Sequence, residues 1–408
     1  MTKAFPRRPG LIGLCLVFAA HAVDLRPAAA AVFVVNSVAD TDDGDCAAAP
    51  AGCTLREAII AANAAAGPDT ITFDPAVFTL GTPQVITVLS ALPRLAEPAG
   101  NVVDGRGASV VIDGVSLDPV AADPGLVIES GSAAPLSHVA VHQLVVRNFA
   151  GDGLLICGGV FPDCDAEVAG ALVSAVTATT NGDNGIAIDG DPNVGTRVED
   201  SLASGNQSSG IRLNGEDLVK ATVEDCSSSA NAGRGINLNA GRDNVAATVI
   251  RSVAVENANT GINVNAGSAV SKARVFESVA ASNGSGIVLN AGSDLTKATV
   301  KDNTAAENVS DGIVVEGSAS KLIGNRATRN GGAGIVLKDP GGGNRIEKNH
   351  AAGNGAAGIT VEDGNGNNRI KQNVALGNVP DLADELLGCD ANIWQKNVFA
   401  STGQPCIQ

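Results

Sequence analysis

Aromatic side chains are nearly absent from this sequence. It contains no Tyr, one Trp and nine Phe among 408 residues. Sheets that bind RNA present several aromatic rings for base stacking, so this composition disfavours that class of protein. Basic residues are also scarce, because 27 Lys and Arg face 43 Asp and Glu and give a formal charge of −16. A nucleic-acid partner would meet net repulsion, and we expect none.

Long apolar runs are missing after the first 31 residues, since none approaches the roughly 18 residues that a membrane-spanning helix needs. Residues 1–31 have the pattern of a signal peptide. Lys3, Arg7 and Arg8 precede an apolar run at 11–20 and small residues at 28–31. We therefore expect an exported protein, in the periplasm, at the cell surface or outside the cell, with no membrane span. Removal of the signal peptide would leave a charge of −19.

Cysteine usage agrees with export. Cys15 lies in the predicted signal peptide, and six of the other seven cysteines form three couples that are close in sequence: Cys46/Cys53, Cys157/Cys164 and Cys389/Cys406. We expect three disulfides, as an oxidising compartment permits. Cys226 is left over, and the repeat described next places it in a column of small residues. We interpret it as a core position rather than as a reactive thiol.

A Gly followed by Ile or Leu recurs along the chain with a mean step of about 25 residues from Gly185 onward. The series is Gly153, Gly185, Gly210, Gly235, Gly261, Gly286, Gly312, Gly334 and Gly358. Aliphatic residues occupy the first and third positions after each Gly, and mostly polar residues occupy the second and fourth. This alternation predicts a strand with one buried face, and the fixed period predicts a solenoid.

A second strand in each repeat is followed by an invariably placed Asn. The nine members are Asn181, Asn206, Asn231, Asn257, Asn283, Asn308, Asn330, Asn354 and Asn378. Asn tolerates the left-handed backbone of a tight bend and can form hydrogen bonds with its own kind along a stack. The sequence therefore predicts an asparagine ladder inside an all-β, single-stranded, right-handed parallel β-helix whose coils stack about 4.8 Å apart.

Both ends of such a solenoid need caps, because they would otherwise expose the core and free strand edges. Thr54 and Glu57 have the spacing of a capping box and open an apolar helical face. We expect a helix here that covers the N-terminal end. At the other end, the Cys389/Cys406 couple and the only Trp, Trp394, predict a second cap.

A family resemblance rests on the N-terminal residues. The segment F-V-V-N-S-V-A-D-T-D-D-G-D-C at 33–46, C-T-L-R-E-A-I at 53–59 and D-T-I-T-F at 69–73 resemble the CSLREA domain, with Thr54 in place of the usual Ser. The repeats resemble those of pectate-lyase-like right-handed β-helix proteins. The resemblance implies an exported protein of bacterial type, in a superfamily that includes polysaccharide lyases, hydrolases and epimerases. We predict a signal peptide at 1–31, a CSLREA-like cap at 32–75, the β-helix at 76–380 and a disulfide-linked cap at 381–408.

Stacked carboxylates suggest one catalytic hypothesis. The register places Asp200 and Asp225 about 5 Å apart on an outer face, with Arg251 one coil further on. Such a group could serve a polysaccharide lyase or a glycoside hydrolase. The alternative is a solvated acidic surface. The Asp-Pro-His-Glu motif of mannuronan epimerases and a Gly-His-Gly polygalacturonase signature are both missing, which disfavours those enzyme subfamilies.

We expect no resident metal or other cofactor. His138 and His142 would lie about 13 Å apart on one strand face, too far to share a zinc ion. Ca²⁺ is the one alternative, because an Asp-rich segment near the N-terminus offers oxygen ligands: Asp40, Asp42, Asp43 and Asp45.

Glycan binding is the leading functional hypothesis, because the outer faces carry polar side chains and a few aromatic rings. The candidate ligand-binding residues are Arg212, Asn237, Asn263, Arg274, Phe276 and Phe161, the last on an insertion closed by Cys157 and Cys164. We predict an exported protein that binds a polysaccharide or a cell-surface glycan without catalysis. An enzyme that acts on an outer sheet face is the first alternative, and a structural envelope protein is the second.

Overall fold

The predicted all-β solenoid is confirmed by the structure, a computed structural model that describes residues 30–46, 52–291, 294–338, 341–362, 364, 366–389 and 391–407. The chain winds into a right-handed parallel β-helix with three sheets along its axis. The predicted signal peptide falls on residues 1–31, of which 1–29 lie outside the described residues.

Sheet 1 contains 14 parallel strands within the described part of the chain. It includes the first and the last strand, so strands from both predicted caps extend it. Its strands are Val32–Val35, Thr70–Phe73, Val102–Asp104, Ala140–His142, Leu172–Ser174, Arg197–Glu199, Thr222–Glu224, Thr248–Ile250, Arg274–Phe276, Thr299–Lys301, Lys321–Ile323, Arg345–Glu347, Arg369–Lys371 and Ile393–Gln395.

In each coil, sheet 2 follows sheet 1 after a tight corner. It contains 12 strands over the described residues, one from each of 12 coils. Its strands are Gln84–Thr87, Val110–Asp113, Val145–Arg147, Thr177–Thr179, Leu202–Ser204, Ser227–Ser229, Val253–Val255, Val279–Ala281, Thr304–Ala306, Arg326–Thr328, His350–Ala352 and Val374–Leu376.

Sheet 3 begins at the repeat Gly, and several of its coils contribute two strands or one long bent strand. Its strands are Leu95–Ala96, Leu126–Glu129, Leu136–Ser137, Leu154–Cys157, Val168–Ala169, Ile186–Asp189, Asn193–Val194, Ile211–Val219, Ile236–Val245, Thr260–Ala266, Ala269–Ser271, Ser285–Ala291, Asp294–Thr296, Ile313–Glu316, Ile335–Lys338, Ile359–Val361 and Leu382–Asp384.

The aliphatic residues after the repeat Gly form the core, as predicted. Ile211, Ile236, Ile262 and Ile287 are fully buried. Each pairs with the next along sheet 3, so they stack in one column. The inward and outward assignments of the sequence analysis are therefore correct for this sheet, and the second and fourth positions face outward.

The asparagine ladder is also confirmed, and all nine of its members are buried. Asn231 Nδ2 donates to Asn257 Oδ1 at 2.8 Å, and the backbone N of Asn231 donates to the same oxygen at 3.2 Å. Asn257 Nδ2 donates to Asn283 Oδ1 at 2.9 Å and to the carbonyl oxygen of Ser228 at 3.1 Å. The ladder therefore joins consecutive coils through side chains as well as through the sheets.

Cys226 belongs to a second internal ladder, at the corner between sheets 1 and 2. Its backbone N donates to Ser252 Oγ at 3.2 Å, and its thiol donates to the carbonyl oxygen of Glu224 at 3.2 Å. Burial raises the pKa of the Cys226 thiol to about 12. The interpretation of Cys226 as a core residue is confirmed, because a buried and protonated thiol is a poor nucleophile.

The three predicted disulfides, Cys46–Cys53, Cys157–Cys164 and Cys389–Cys406, are present. The predicted N-terminal helix spans Leu55–Ala64 and has the expected capping box. In that box Thr54 Oγ1 accepts from the backbone N of Glu57, whose side chain accepts from the backbone N of Thr54.

The C-terminal end contains one 3₁₀ turn, Leu387–Cys389. Trp394 is buried beside it, and its indole Nε1 donates to Asp384 Oδ2 at 2.9 Å. Hydrogen bonding of a buried indole fixes its orientation, so Trp394 forms an ordered part of the C-terminal end.

The ladder predicts that the same substitution at two nearby asparagines, Asn257 and Asn259, changes the free energy of unfolding by very different amounts. Replacement of Asn257 by Asp removes both donors of a buried side chain and sets a carboxylate against two acceptor oxygens. We expect Asn257→Asp to lower the free energy of unfolding by about 3 kcal/mol or more. The exposed Asn259 gives the control, because Asn259→Asp keeps its role as an acceptor for Thr260. Denaturant unfolding measures both, and equal losses would contradict the ladder's role.

Candidate functional site

The outer face of sheet 3 carries a groove of about 500 Å³. The loop closed by the Cys157–Cys164 disulfide borders one side, and the long strands Ile211–Val219 and Ile236–Val245 border the other at Gly215 and Gly241. The remaining lining side chains are mostly acidic or amide groups: Asp163, Asp165, Asp189, Asp191, Glu216, Arg212, Asn214 and Asn239. The groove therefore contains one of the residues proposed for ligand binding, Arg212, together with carboxylates that the sequence analysis did not select.

Asp189 and Arg212 form an ion pair in this groove. They lie on adjacent coils, and Asp189 is only 8% exposed. Burial raises the pKa of Asp189, while the attraction of Arg212 opposes this effect. Asp189 Oδ1 and Arg212 Nε have no hydrogen-bond partner among the described residues. Buried polar atoms are normally satisfied, so these two are exceptions beneath the groove.

Asp152 adds a second buried carboxylate at the edge of sheet 3. Its Oδ1 accepts from Asn184 N at 2.9 Å and from Asn184 Nδ2 at 2.8 Å. Burial raises the pKa of Asp152 to about 6, although the hydrogen bonds from Asn184 act in the opposite direction. The sequence offers one signal for Asp152. It lies directly before a repeat Gly, where the next two coils have the neutral residues Asn184 and Ser209.

Two columns of amides continue from the groove along sheet 3. Asn239 Nδ2 donates to Asn214 Oδ1, and Asn265 Nδ2 donates to Asn239 Oδ1, both at 2.8 Å. In the neighbouring column, Asn263 Nδ2 donates to Asn237 Oδ1 at 2.9 Å. The predicted ligand residues Asn237 and Asn263 are thus adjacent, but both are buried. The half-buried Asn214 and Asn239 reach the groove itself.

Phe161 lies on the disulfide loop beside the same sheet. Its ring packs against an apolar cluster that includes Val127, Leu155 and Ala187. The Arg94 guanidinium lies 4.8 Å from the ring centroid. Phe161 is therefore half-buried beneath a cation, where its ring anchors the loop that borders the groove.

Arg274 and Phe276 occupy a different surface. Both belong to the strand Arg274–Phe276 of sheet 1, whereas Arg212, Asn237 and Asn263 belong to sheet 3. The structure therefore divides the predicted ligand residues between two outer faces. Their role in binding stays a prediction, and no single ligand site contains all six.

The proposed catalytic residues lie at the corner between sheets 1 and 2, each directly after a strand of sheet 1. Arg251 Nε and Nη2 donate to Asp225 Oδ1 and Oδ2 at 2.8 and 2.7 Å, and Arg251 also pairs with Glu224. All three proposed residues, Asp200, Asp225 and Arg251, are exposed. The hydrogen bond from Arg251 lowers the pKa of Asp225. Asp225 is thus held as a carboxylate, which cannot act as a general acid, and the catalytic assignment stays a prediction.

A comparison with models of protein families identifies the family of this chain. The model described as "Right handed beta helix region" matches residues 102–275 and 243–399. The chain belongs to the right-handed β-helix family. No curated protein matches the sequence at a significant level.

Solved structures of other β-helix proteins share this fold. The A-modules of the Azotobacter vinelandii mannuronan C-5 epimerases AlgE6 and AlgE4 are 18% and 17% identical, with TM-scores of 0.62 and 0.56. The alignments cover 86% and 87% of this chain and 94% and 92% of theirs. A double mutant of the periplasmic alginate epimerase AlgG is 12% identical, with a TM-score of 0.55 and coverage of 82% and 84%. These identities show a common fold alone.

Acidic and His side chains are the candidate metal ligands of this β-helix protein. Within the described ranges, no group of three or more His, Cys, Asp or Glu is arranged to hold a metal ion. In the Asp-rich segment, Asp40 pairs with Arg56 at 2.9 Å and accepts from the backbone N of Leu89 at 2.7 Å. A Ca²⁺ site there stays a prediction. No helix in the described part is long and apolar enough to cross a membrane.

The buried Asp152 predicts an unusual dependence of stability on pH. Its folded pKa of about 6 exceeds the ordinary value of 3.8, so its contribution to stability is complete below pH 4 and is lost as pH rises through 6. The expected loss is about 3 kcal/mol relative to Asp152→Asn. Denaturant unfolding between about pH 4 and 7 measures it.

The control for this measurement is Asp302→Asn, which removes an exposed carboxylate that pairs with Lys301. This variant should keep the pH profile of the wild type. The assignment is wrong if Asp152→Asn also keeps it.

Proposed function

We propose that this protein is an exported, non-catalytic glycan-binding protein whose sheet 3 groove binds an uncharged polysaccharide. The observation that carries the proposal is the continuity between the groove at Asp189 and Arg212 and the amide column of Asn214, Asn239 and Asn265. Three disulfides and the predicted signal peptide support a place in the periplasm or outside the cell.

The amide column suits a ligand with many hydroxyl groups. Each side-chain amide has N–H donors and an acceptor oxygen. The hydrogen bonds between neighbouring amides hold these groups in fixed orientations. Successive amides repeat with the spacing of the coils, about 4.8 Å. A chain of sugar units that lies along the solenoid axis would meet equivalent polar groups at regular intervals, as a linear polysaccharide requires.

The charge of the groove favours an uncharged ligand. Arg212 is the only cation among the lining residues, against five carboxylates: Asp163, Asp165, Asp189, Asp191 and Glu216. A surface with this balance repels polyanions such as uronic-acid polymers. The similar solved structures are named as epimerases of mannuronan or alginate, which supports a carbohydrate ligand. The charges in this groove indicate a different kind of polysaccharide.

Several observations favour binding over catalysis. Asp225 is exposed and held as a carboxylate by Arg251. The Asp-Pro-His-Glu motif is missing. In the groove, the buried carboxylate of Asp189 is paired with Arg212.

A glycan array of neutral and uronic-acid oligosaccharides tests the proposal, followed by calorimetric titration of the tightest neutral ligand. We expect neutral glycans to bind and the double variant Asn214→Ala/Asn239→Ala to weaken binding at least about tenfold, because two ligand hydrogen bonds are lost. The exposed Asn259 provides the control, and Asn259→Ala should bind as the wild type does.

Three outcomes would contradict the proposal. Failure of all glycans to bind, with and without Ca²⁺, would favour a structural envelope protein. Unchanged affinity of the double variant would show that the groove is not the site. Release of reducing ends or unsaturated products would favour the enzyme, and Asp225→Asn would then test the catalytic residues.

A further inference from the structure

The C-terminal coils present an excess of cations on sheet 1, although the chain as a whole is acidic. The six cations are Lys321, Arg345, Lys348, Arg369, Lys371 and Lys396, and Lys371 alone is half-buried while the others are exposed. Glu347 is the carboxylate that pairs with cations of this group. These seven residues carry a net charge of +5 in a chain with a formal charge of −16. We refer to the six cations as the basic face.

The middle coils of the same sheet are balanced instead. Arg197 pairs with Glu199 at 2.5 Å and with Glu224 at 2.6 Å. Arg251 pairs with Asp225 at 2.7 Å. Each of these cations therefore has a carboxylate beside it, and their field is largely cancelled. The basic face differs because its cations outnumber the carboxylates within reach.

The carboxylate of Glu347 is engaged by the cations around it. Its carboxylate accepts from Arg345 Nη2 at 2.6 Å and lies 3.6 Å from Arg369 Nε, and its side chain is 8% exposed. Glu347 is therefore a buried counter-charge beneath the face rather than an exposed negative charge. Lys348, Lys371 and Lys396 form no ion pair with any described carboxylate. A hollow of about 400 Å³ lies between Arg345, Lys348, Arg369 and Lys371.

The register arranges these cations in rows along the solenoid axis. Lys321, Arg345 and Arg369 are partners on three successive strands of sheet 1. At the corner with sheet 2, Lys348 and Lys396 have left-handed backbones, with φ of 57° and 55°, and Gln372 lies between them with φ of 57°. The row of Lys321, Arg345 and Arg369 therefore repeats with the coil spacing of about 4.8 Å, whereas Lys348 and Lys396 lie two coils apart. Both rows run along the axis and can follow a linear polymer.

We propose that the basic face is a second binding surface, which takes a linear anionic polysaccharide along the axis of the solenoid. Its carboxylate, sulfate or phosphate groups would lie over the rows of Lys and Arg. Proteins that bind single-stranded nucleic acid without sequence preference add aromatic stacking platforms. The aromatic residue of the last strand of sheet 1, Trp394, is buried, at 5% exposed, so the face offers charge and no platform for bases.

Dextran sulfate and uncharged dextran test this surface, because the two polymers share one backbone and differ in charge. We expect dextran sulfate to bind, with an affinity that falls as salt rises from about 50 to about 300 mM, and dextran not to bind this face. The double variant Lys348→Glu/Lys371→Glu should weaken the binding of dextran sulfate at least about tenfold.

The matched control is Lys220→Glu/Lys272→Glu. These lysines are exposed and, like Lys348, have left-handed backbones, with φ of 55° and 57°, but they lie at another corner of the helix. The control should bind dextran sulfate almost as well as the wild type. Asn214→Ala/Asn239→Ala should also leave this affinity unchanged, which separates the basic face from the sheet 3 groove. Thermal unfolding checks that each variant is folded.

Three results would overturn the proposal. One is equal weakening by both lysine pairs, which would show a general effect of charge. Another is binding of uncharged dextran that the basic-face variant abolishes. The third is tighter binding of a single-stranded DNA oligomer or of vesicles with anionic lipid than of dextran sulfate, since either would assign the face to another class of partner.

Discussion

The hydrogen bond between stacked asparagine side chains is the constraint on which this structure depends. Each amide donates to the amide oxygen of the next coil, as from Asn206 to Asn231 at 2.9 Å and from Asn231 to Asn257 at 2.8 Å. Because these groups are buried, a missing partner is costly, and consecutive coils are held in one register. That register fixes which side chains stack on the outside. The amide column of sheet 3 and the basic face of sheet 1 both follow from it.

Charges of opposite sign predominate in two different regions of the solenoid. Carboxylates outnumber cations around Asp189 and Arg212 on sheet 3, and cations outnumber carboxylates around Glu347 on sheet 1. This difference in charge is the basis on which we propose that one surface takes an uncharged polymer and the other an anionic polymer.

Most of the fold could be predicted from the sequence, because the 25-residue period identifies the residues that occupy equivalent positions in successive coils. The stacked aliphatic residues, the asparagine ladder, the capping box at Thr54 and the three disulfides are all confirmed. Each depends on local spacing or on a strict repeat. The boundaries of the two caps stay predictions, since strands from both extend the sheets of the solenoid.

The groove was harder to predict, because its parts do not repeat. Arg212 reaches Asp189 on the preceding coil, and this contact depends on the direction of one long side chain. Asp152 was missed because burial, rather than its residue type, makes it unusual. Phe276 and Arg212 were expected on neighbouring faces, and they lie on sheet 1 and sheet 3. The repeat identifies such outward positions without showing which face takes a ligand.

Residue-resolved hydrogen exchange tests the central claim most directly. The backbone N–H groups of Asn206, Asn231 and Asn257 donate to the side-chain oxygen of the next ladder member. If the ladder locks the coils together, these amides should exchange as slowly as those of the buried strands and with one common free energy of opening. Exchange at separate rates close to those of the exposed loop at 116–122 would contradict the account.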